Sequence, residues 1–335
     1  MHLIMPAMTA NSLHPFSRLT PDFLLDAVES LGLRCDGRLL ALNSYENRVY
    51  QIGIEDGTPL VAKFYRPERW SDAQIQEEHD FAAELAERDI PVVTALAFGG
   101  RTLHHYQDFR LALFPRRGGH APELDDADTL AWLGRFLGRL HAHGAVTPYH
   151  LRPTLDLASY GEASLRCVQE QAQLPYDLAT PYEQAARQAL DEVRRAFDRA
   201  GDISWRRVHG DCHVGNILWT QEGPHFVDLD DSCMAPALQD LWMLLSGDRA
   251  QQQAQLLELI VGYEDFCDFD RRELHLLEAL RTLRLLHYSA WLTRRREDPA
   301  FVVAFPWFDT AQYWQERIVE LQQQLEAMRE APLCV

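Results

Sequence analysis

The spacing of apolar residues changes near residue 115, and this change limits the folds open to the chain. Before it, short runs rich in β-branched and aromatic residues are separated by turn residues, a pattern typical of strands. The predicted strands are residues 38–42, 48–54, 59–64, 92–98 and 109–114. Two helices are expected in the same part of the chain, at 20–34 and 71–88, capped by Thr20 and Ser71.

Beyond Pro115 most apolar residues recur at helical spacing. The predicted helices are residues 126–143, 182–200, 236–247, 251–267, 270–297 and 310–330, with short strands within 206–230. We therefore predict an α+β fold with a small β-rich lobe that carries one main helix, and a large, mostly helical lobe. The expected boundaries are a loose tail at 1–19, an N-terminal lobe at 20–115 and a C-terminal lobe at 116–335.

The composition narrows the functional classes. A chain of 335 residues, 47% of them hydrophobic, can hold two lobes with substantial cores. A net charge of −18 repels nucleic acid backbones and anionic membranes, so we expect neither as a partner. No apolar run approaches the length of a membrane span, and the six cysteines lack the paired spacing of a disulfide framework. We expect a monomeric, cytoplasmic protein with reduced thiols.

One segment carries three polar side chains that suit phosphoryl transfer. Asp211 and Asn216 lie five positions apart after a short apolar run, and Asp228 follows the next one. A carboxylate is ionised at neutral pH and can accept the proton of an attacking hydroxyl. An amide carbonyl and a second carboxylate are oxygen ligands of the kind that magnesium prefers. The joint spacing therefore favours a phosphotransferase centre over residues that merely cap turns.

The same part of the chain also contains the residue types of a zinc site. Residue types that bind zinc occur in and near this segment, at His209, Cys212, His213 and Cys233. Their spacing matches no closed four-ligand zinc pattern. We interpret His209 as a residue that braces the loop and Cys212 as a small buried filler.

These segments resemble the phosphotransfer motif shared by aminoglycoside phosphotransferases, choline kinases and protein-kinase-like enzymes. The closer resemblance is to the bacterial stress response kinase A family, and the segments that carry it are 42–50, 61–70, 209–219, 226–231 and 239–245. The resemblance implies a bilobal protein-kinase-like fold, ATP as co-substrate and Mg²⁺ as cofactor. It implies that Asp211 is the catalytic base and that Asn216 and Asp228 are the magnesium ligands.

The resemblance also implies a nucleotide clamp in the N-terminal lobe. Lys63, in an apolar strand, would contact the α- and β-phosphates, and Ser44, in a loop without glycine, would contact the nucleotide. A carboxylate on the following helix should pair with Lys63. Glu77 and Glu78 both qualify, and helical phase places Glu78 on the apolar face. We predict Glu78.

Four further residues have two interpretations each. Phe114 ends the fifth predicted strand, where adenine would meet the hinge, although a plain core strand explains it equally well. Asp240 opens an apolar helix that it could cap; the resemblance implies instead that it braces the catalytic loop. Asp230 and Asp231 could face a metal or the acceptor, but we expect solvated loop carboxylates.

The acceptor is less constrained by the sequence. The chain has no Ala-Pro-Glu segment after Asp228 and only a short stretch between Asp228 and Asp240, which favours a small-molecule kinase acting on a hydroxyl of an amine-bearing metabolite. The resemblance implies a serine/threonine protein kinase that also phosphorylates itself. The acidic charge suits a basic peptide or an amine about equally. A non-catalytic nucleotide-binding scaffold is disfavoured, because Lys63, Asp211, Asn216 and Asp228 are all present.

Overall fold

The computed structural model describes residues 16–298 and 300–335. Its N-terminal part is built on one antiparallel sheet with the order β1-β2-β3-β5-β4. The strands are β1 (Cys35–Ala41), β2 (Arg48–Ile54), β3 (Leu60–Phe64), β4 (His104–Tyr106) and β5 (Phe109–Pro115). The central strand, β3, places Lys63 opposite Val49 on one side and Ala112 on the other.

Two helices pack on this sheet, and both begin at the predicted caps. Thr20 caps α1 (Pro21–Glu29), whose residues Leu24, Ala27 and Val28 are buried against the sheet. Ser71 and Gln74 form a capping box at the start of α2 (Asp72–Ala86). The far end of α2 packs against the helical part of the chain, so this helix connects the sheet to the rest of the fold.

The strand predicted at residues 92–98 is wrong. The segment is extended, but it makes only isolated contacts: the N–H of Val93 donates to Phe226 and that of Leu96 donates to Leu113, at 2.9 and 2.7 Å. Apolar residues with extended spacing therefore form a connection that touches both parts of the fold. The edge of the sheet beside β5 is instead formed by the short strand β4.

The C-terminal part is mostly helical. Its helices are α3 (Ala127–Gly144), α4 (Ala163–Gln171), α5 (Tyr176–Ala200), α6 (Leu238–Trp242), α7 (Arg249–Tyr263), α8 (Leu277–Arg295), α9 (Phe301–Ala304) and α10 (Ala311–Ala327). Helices α3 and α7 approach closely through glycines, because a Cβ on Gly134 would lie 2.0 Å from the carbonyl oxygen of Leu259. The α4 helix and the π-helix Leu157–Glu162 before it were not predicted.

Four short strands interrupt the helices and hold the motif segment. They are β6 (Arg206–Val208), β7 (Ile217–Thr220), β8 (Gly223–Phe226) and β9 (Cys233–Ala235). Strands β7 and β8 form an antiparallel hairpin, and β6 pairs with β9. The loops at 209–216 and 227–232 connect the two pairs.

The predicted α+β fold, with a small sheet followed by a helical part, is confirmed. The lobe boundaries at residues 19 and 115 stay a prediction. Most of the expected loose tail, residues 1–15, lies outside the described residues, and Phe16 is buried against Phe109 of the sheet.

No helix in the described part of the chain is long and apolar enough to cross a membrane. All six cysteines are free thiols.

A buried carboxyl group gives the fold a pH dependence. Glu273 accepts a hydrogen bond from the N–H of Leu238 at 2.8 Å, at the start of α6. Burial raises its pKa from 4.5 to about 7. Because the folded protein then binds the proton more tightly than the unfolded chain, stability rises as pH falls from above 7 towards 4.5.

We expect the Glu273→Gln variant to lose this contribution, which amounts to at most about 3 kcal/mol. The measurement is the free energy of unfolding of both proteins between pH 5 and 8. The difference, wild type minus variant, should grow as pH falls. A difference that is constant with pH would contradict the raised pKa.

Candidate active site

The loop that carries Asp211 is fixed by its backbone. Gly210 has φ of 84°, in the left-handed region, and a Cβ there would lie 2.2 Å from the carbonyl oxygen of Asp231. Only glycine avoids both problems. The loop therefore packs directly against the backbone of the segment that follows Asp228.

Asp240 holds the same loop through hydrogen bonds to its backbone. Its fully buried carboxylate accepts hydrogen bonds from the backbone N–H groups of His209 and Gly210, at 2.8 and 2.9 Å. The same carboxylate lies 3.0 Å from Nε2 of His141. Helix α6 begins at Leu238 and has no side-chain cap, so Asp240 does not cap it. The contacts of Asp240 are those of a residue that braces the loop.

His209 connects the two loops of the site. Its ring is fully buried, and Nε2 lies 2.9 Å from the carbonyl oxygen of Val227. Because a carbonyl can only accept, Nε2 carries the hydrogen and Nδ1 can accept from the N–H of Asp211, 3.4 Å away. This agrees with its interpretation as a bracing residue. Among the described residues, no group of three or more His, Cys, Asp and Glu side chains is arranged to hold a metal ion.

The Asp211 carboxylate is surrounded by donors. The Arg284 guanidinium lies 2.8 Å from Oδ1, and His213 Nε2 and Asn216 Nδ2 lie 3.5 and 3.4 Å from Oδ2. Burial alone raises the pKa of Asp211, but His213 and Arg284 outweigh it and hold the pKa well below its usual range. Asp211 is therefore ionised throughout the neutral range, as a proton acceptor must be.

Asn216 and Asp228 are brought together by the β7–β8 hairpin. The N–H of Val227 donates to the carbonyl oxygen of Asn216 at 3.0 Å, which sets the two segments side by side. The Asn216 amide nitrogen donates to the carbonyl of Asp211 at 2.9 Å, so its side-chain oxygen remains as the acceptor. Asp228 adopts a left-handed backbone with φ of 60°, and half of its side chain is exposed. One amide oxygen and one accessible carboxylate fit a hard cation such as Mg²⁺.

Lys63 reaches this carboxylate from the sheet. Its ammonium lies 2.7 Å from Asp228 Oδ1 and 3.1 Å from Asp230 Oδ1, and its side chain is buried. Burial lowers the pKa of Lys63, but the two carboxylates outweigh it and keep the pKa well above its ordinary value. The structure thus joins Lys63 to the Asp228 loop through a charged pair.

The expectation that Asp230 and Asp231 are solvated is wrong for Asp230. Its side chain is buried between Lys63, Arg69 and the amide of Asn47. Asp231 is half exposed and pairs with Arg69. The sequence could not reveal this cluster from spacing, because the two carboxylates lie more than 160 positions from Arg69. The apolar strand around Lys63 was the one available signal that its partner would also be buried.

Glu78 is buried, as its helical phase predicts. Within the described residues, however, its charged neighbour at ion-pair distance is Arg152, 3.8 Å away, and not Lys63. Burial raises the pKa of Glu78 to about 7. Glu77 instead accepts hydrogen bonds from the backbone N–H groups of residues 150–152. Pairing of Lys63 with Glu78 therefore stays a prediction for another state of the site.

The loop of Ser44 is closed onto the helical part of the chain. The Ser44 hydroxyl donates to the carbonyl oxygen of Asn47 at 3.1 Å, so in this structure it shapes the loop. Glu46 accepts from Trp291 and Arg295 of α8, at 2.8 and 2.5 Å. Sequence reasoning missed these contacts. A nucleotide contact for Ser44 stays a prediction.

Phe114 packs in the core beside the sheet. Its partly buried ring lies in the cluster formed by Tyr65, Ile75 and Ala112, and it meets the ring of His79 at 6.2 Å. The core interpretation describes these contacts. An adenine contact at this position stays a prediction.

The sequence matches a known family over most of its length. The model of the "Phosphotransferase enzyme family" matches residues 38–277. The chain belongs to this family. The matched range includes Lys63, Asp211, Asn216 and Asp228, so the cluster described above lies inside the family's own region.

Relatives narrow the placement within the phosphotransferase enzyme family. The chain is 45% identical over 318 residues to "Stress response kinase A" of Salmonella choleraesuis (strain SC-B67), covering 95% of this chain and 96% of the relative. It is 45% identical, over the same shares, to "Serine/threonine protein kinase RdoA" of Salmonella typhimurium (strain LT2). The predicted resemblance to the stress response kinase A family is confirmed, and this family member is a kinase.

Solved structures confirm the fold. An amicoumacin kinase in complex with AMP-PNP and Ca²⁺ aligns with a TM-score of 0.73 at 19% identity, covering 93% of this chain and 94% of the other. A microcompartment-associated aminopropanol kinase aligns with a TM-score of 0.69 at 18% identity, covering 91% and 98%. At such identities the likeness concerns the fold alone.

Proposed function

We propose that this chain is an ATP- and Mg²⁺-dependent kinase that phosphorylates serine and threonine side chains of proteins, including its own. The observation that carries the proposal is the convergence of an ionised carboxylate, Asp211, with the side-chain oxygens of Asn216 and Asp228 and the buried ammonium of Lys63. A phosphoryl-transfer centre needs these groups together. We further expect it to act in the cytoplasm as a monomer.

In the proposed reaction each residue has one task. The acceptor oxygen bonds to the γ-phosphorus of ATP while the bond from that phosphorus to the β,γ-bridging oxygen breaks, and its electron pair leaves with ADP. Asp211 takes the hydroxyl proton. Lys63 exchanges its contact with Asp228 for the α- and β-phosphates. Mg²⁺, held by Asn216 and Asp228, would neutralise the phosphate charge.

Three positions complete the proposed nucleotide site. Ser44 would contact the phosphates once its loop opens, and Phe114 would border adenine at the end of β5. Glu78, buried and close enough to raise the pKa of Lys63, would pair with that lysine once Asp228 turns to the metal. These roles rest on the family resemblance together with the positions of the three side chains.

The acceptor class rests on the relatives. Proteins 44–45% identical over nearly their whole length are named stress response kinase A, and one is named a serine/threonine protein kinase. The alternative acceptor is a hydroxyl of a small amine-bearing metabolite. It is favoured by the short stretch between Asp228 and α6, which leaves no room for a long activation loop.

The two acceptor classes are separated by one labelling experiment. Purified protein is incubated with γ-labelled ATP and Mg²⁺, together with a generic protein substrate and a panel of amino alcohols and aminoglycosides. Label on protein supports the proposal. Label on the small molecules alone would replace it with the alternative, and no transfer to any acceptor would favour a non-catalytic nucleotide-binding scaffold.

Asp228→Asn tests the proposed metal site. We expect the Mg²⁺-dependent part of nucleotide affinity to fall by roughly 10–100-fold, since one anionic ligand of the cation is lost. Affinity without Mg²⁺ should change little. Calorimetric titration of a non-hydrolysable ATP analogue, with and without Mg²⁺, measures both quantities.

The matched control for this variant is Asp265→Asn, which removes an exposed carboxylate paired with Arg135 at 2.7 Å, away from the site. It should bind the analogue as the wild type does. Equal Mg²⁺ enhancement in wild type and Asp228→Asn would refute the assignment of Asp228 as a metal ligand.

A further inference from the structure

One face of α8 runs from Asp211 to the Ser44 loop. Arg284, Tyr288, Trp291 and Arg295 follow each other at helical spacing and share this face. Arg284 contacts Asp211 at 2.8 Å, whereas Trp291 and Arg295 contact Glu46. We call these four residues the α8 stripe. Because Arg284 contacts Asp211, this end of the α8 stripe lies where, under the proposed function, an acceptor hydroxyl would approach.

The two arginines of the α8 stripe differ in how far their charge is neutralised. Arg295 is buried, with 10% of its side chain exposed; its Nε and one terminal nitrogen donate to Glu46, and the other terminal nitrogen donates to the carbonyl oxygen of Trp291. Arg284 is 46% exposed. Within residues 16–298 and 300–335, Asp211 is the one carboxylate at ion-pair distance from Arg284. Its guanidinium therefore keeps donors that face solvent at the mouth of the site.

The contact between Arg284 and Asp211 conflicts with the proposed role of Asp211. A base needs an open oxygen to receive the acceptor hydroxyl, yet the Arg284 guanidinium stands 2.8 Å from Oδ1, which accepts no hydrogen bond from the described residues. Drawing the guanidinium away loses a charged pair unless a second anion replaces it. An acceptor with its own carboxylate beside the hydroxyl supplies that anion. An acceptor with lysine or arginine there places a cation against Arg284.

Neighbouring carboxylates do not cancel this positive charge. Glu46 is paired with Arg295, and Asp231 is paired with Arg69. Asp228 faces Lys63 and, under the proposed function, the metal. The rings of Tyr288 and Trp291 stack at 5.7 Å with an angle of 10° and give the stripe a flat apolar middle against which a peptide can lie.

We propose that the α8 stripe selects acceptor segments that carry a carboxylate next to the phosphorylated serine or threonine. Arg284 is the residue that binds this carboxylate. This rests on the proposed protein kinase function and names its substrate class. It also reverses the expectation from net charge, since a chain of −18 would by itself attract basic peptides.

The test compares three serine peptides that differ only beside the serine, where they carry Glu, Gln or Lys. With the wild type we expect kcat/KM to be about tenfold higher for the Glu peptide than for the Gln peptide, and lowest for the Lys peptide. In Arg284→Gln the advantage of the Glu peptide should disappear, whereas Arg284→Lys should keep part of it. The difference in kcat/KM between the Glu and Gln peptides should come mainly from KM.

Arg187→Gln is the matched control, because it removes an exposed arginine, 61% accessible, that pairs with Glu183 on another helix. It should keep the preference for the Glu peptide. Equal rates for the Glu and Gln peptides, faster reaction of the Lys peptide, or an unchanged preference in Arg284→Gln would overturn the inference while leaving the kinase proposal intact.

A binding assay separates the two proposals if no peptide is phosphorylated. Fluorescence anisotropy with a labelled acidic peptide, its serine replaced by alanine, reports binding without chemistry. Binding that Arg284→Gln weakens would support the role of Arg284 and count against the protein kinase function. No binding to wild type would overturn the inference.

Discussion

Replacing Asp211 by asparagine is expected to lower the rate of phosphoryl transfer by about 10²–10⁴-fold while leaving nucleotide affinity unchanged. Asparagine keeps the shape of the side chain but cannot take the proton of the acceptor hydroxyl. The wild-type carboxylate is ionised at neutral pH, because His213 and Arg284 hold the pKa of Asp211 well below its usual range. Single-turnover kinetics and titration with a non-hydrolysable ATP analogue measure the two quantities separately.

The same substitution at Asp265, exposed and paired with Arg135, serves again as the control and should change neither quantity. Thermal unfolding of all three proteins verifies that the fold is retained. The assignment would be contradicted if Asp211→Asn turned over at the wild-type rate. It would also be contradicted if this variant lost nucleotide affinity as strongly as Asp228→Asn.

Replacing Asp240 by alanine is expected to destabilise the protein by about 3–5 kcal/mol and to slow phosphoryl transfer as well. The buried carboxylate satisfies the N–H groups of His209 and Gly210 and the ring of His141. Without it, three buried donors lose their acceptor. The loop that carries Asp211 would lose its position with them. Chemical denaturation gives the stability, and kcat in the surviving folded protein gives the effect on the site.

A second aspartate gives the matched control. Asp248 also accepts a backbone N–H, that of Gln251 at 2.9 Å, but it caps α7 at the exposed surface. Asp248→Ala should cost about 1 kcal/mol, as an exposed helix cap does, and should leave kcat unchanged. If Asp240→Ala were no less stable than Asp248→Ala, the bracing role of Asp240 would be wrong.

The sequence predicted those parts of the fold that depend on local patterns. Helix α2 begins at Ser71 because the capping box and the apolar periodicity agree, and both are readable from neighbouring residues. The strand expected at 92–98 failed because an extended apolar segment can serve as a connection that bonds to two separate elements. Helix α4 was missed because a helix of nine residues is held by its packing on α8, which spacing does not reveal.

In the candidate site, too, contacts between residues near in sequence were predicted and contacts between distant segments were not. Asp211, Asn216 and Asp228 lie within one hairpin and its flanking loops, so their spacing predicted their proximity. The contacts that join distant segments were not predicted. Burial of Asp230 depends on Lys63 and Arg69, and the contact of Asp211 with Arg284 depends on how α8 packs. Such pairs depend on tertiary packing, which the sequence pattern does not show. Packing is the reason why Asp230, expected in solvent, is a buried partner of Lys63 and Arg69.

The most direct test of the central claim is to locate the γ-phosphate after reaction. Wild-type protein and Asp211→Asn are incubated with γ-labelled ATP, Mg²⁺ and a generic protein substrate, and the modified residues are mapped by mass spectrometry. We predict phosphate esters on serine and threonine, on the substrate and on the kinase itself, formed by the wild type and not by Asp211→Asn. Label found only in orthophosphate or small metabolites, or equal labelling by both proteins, would contradict this account.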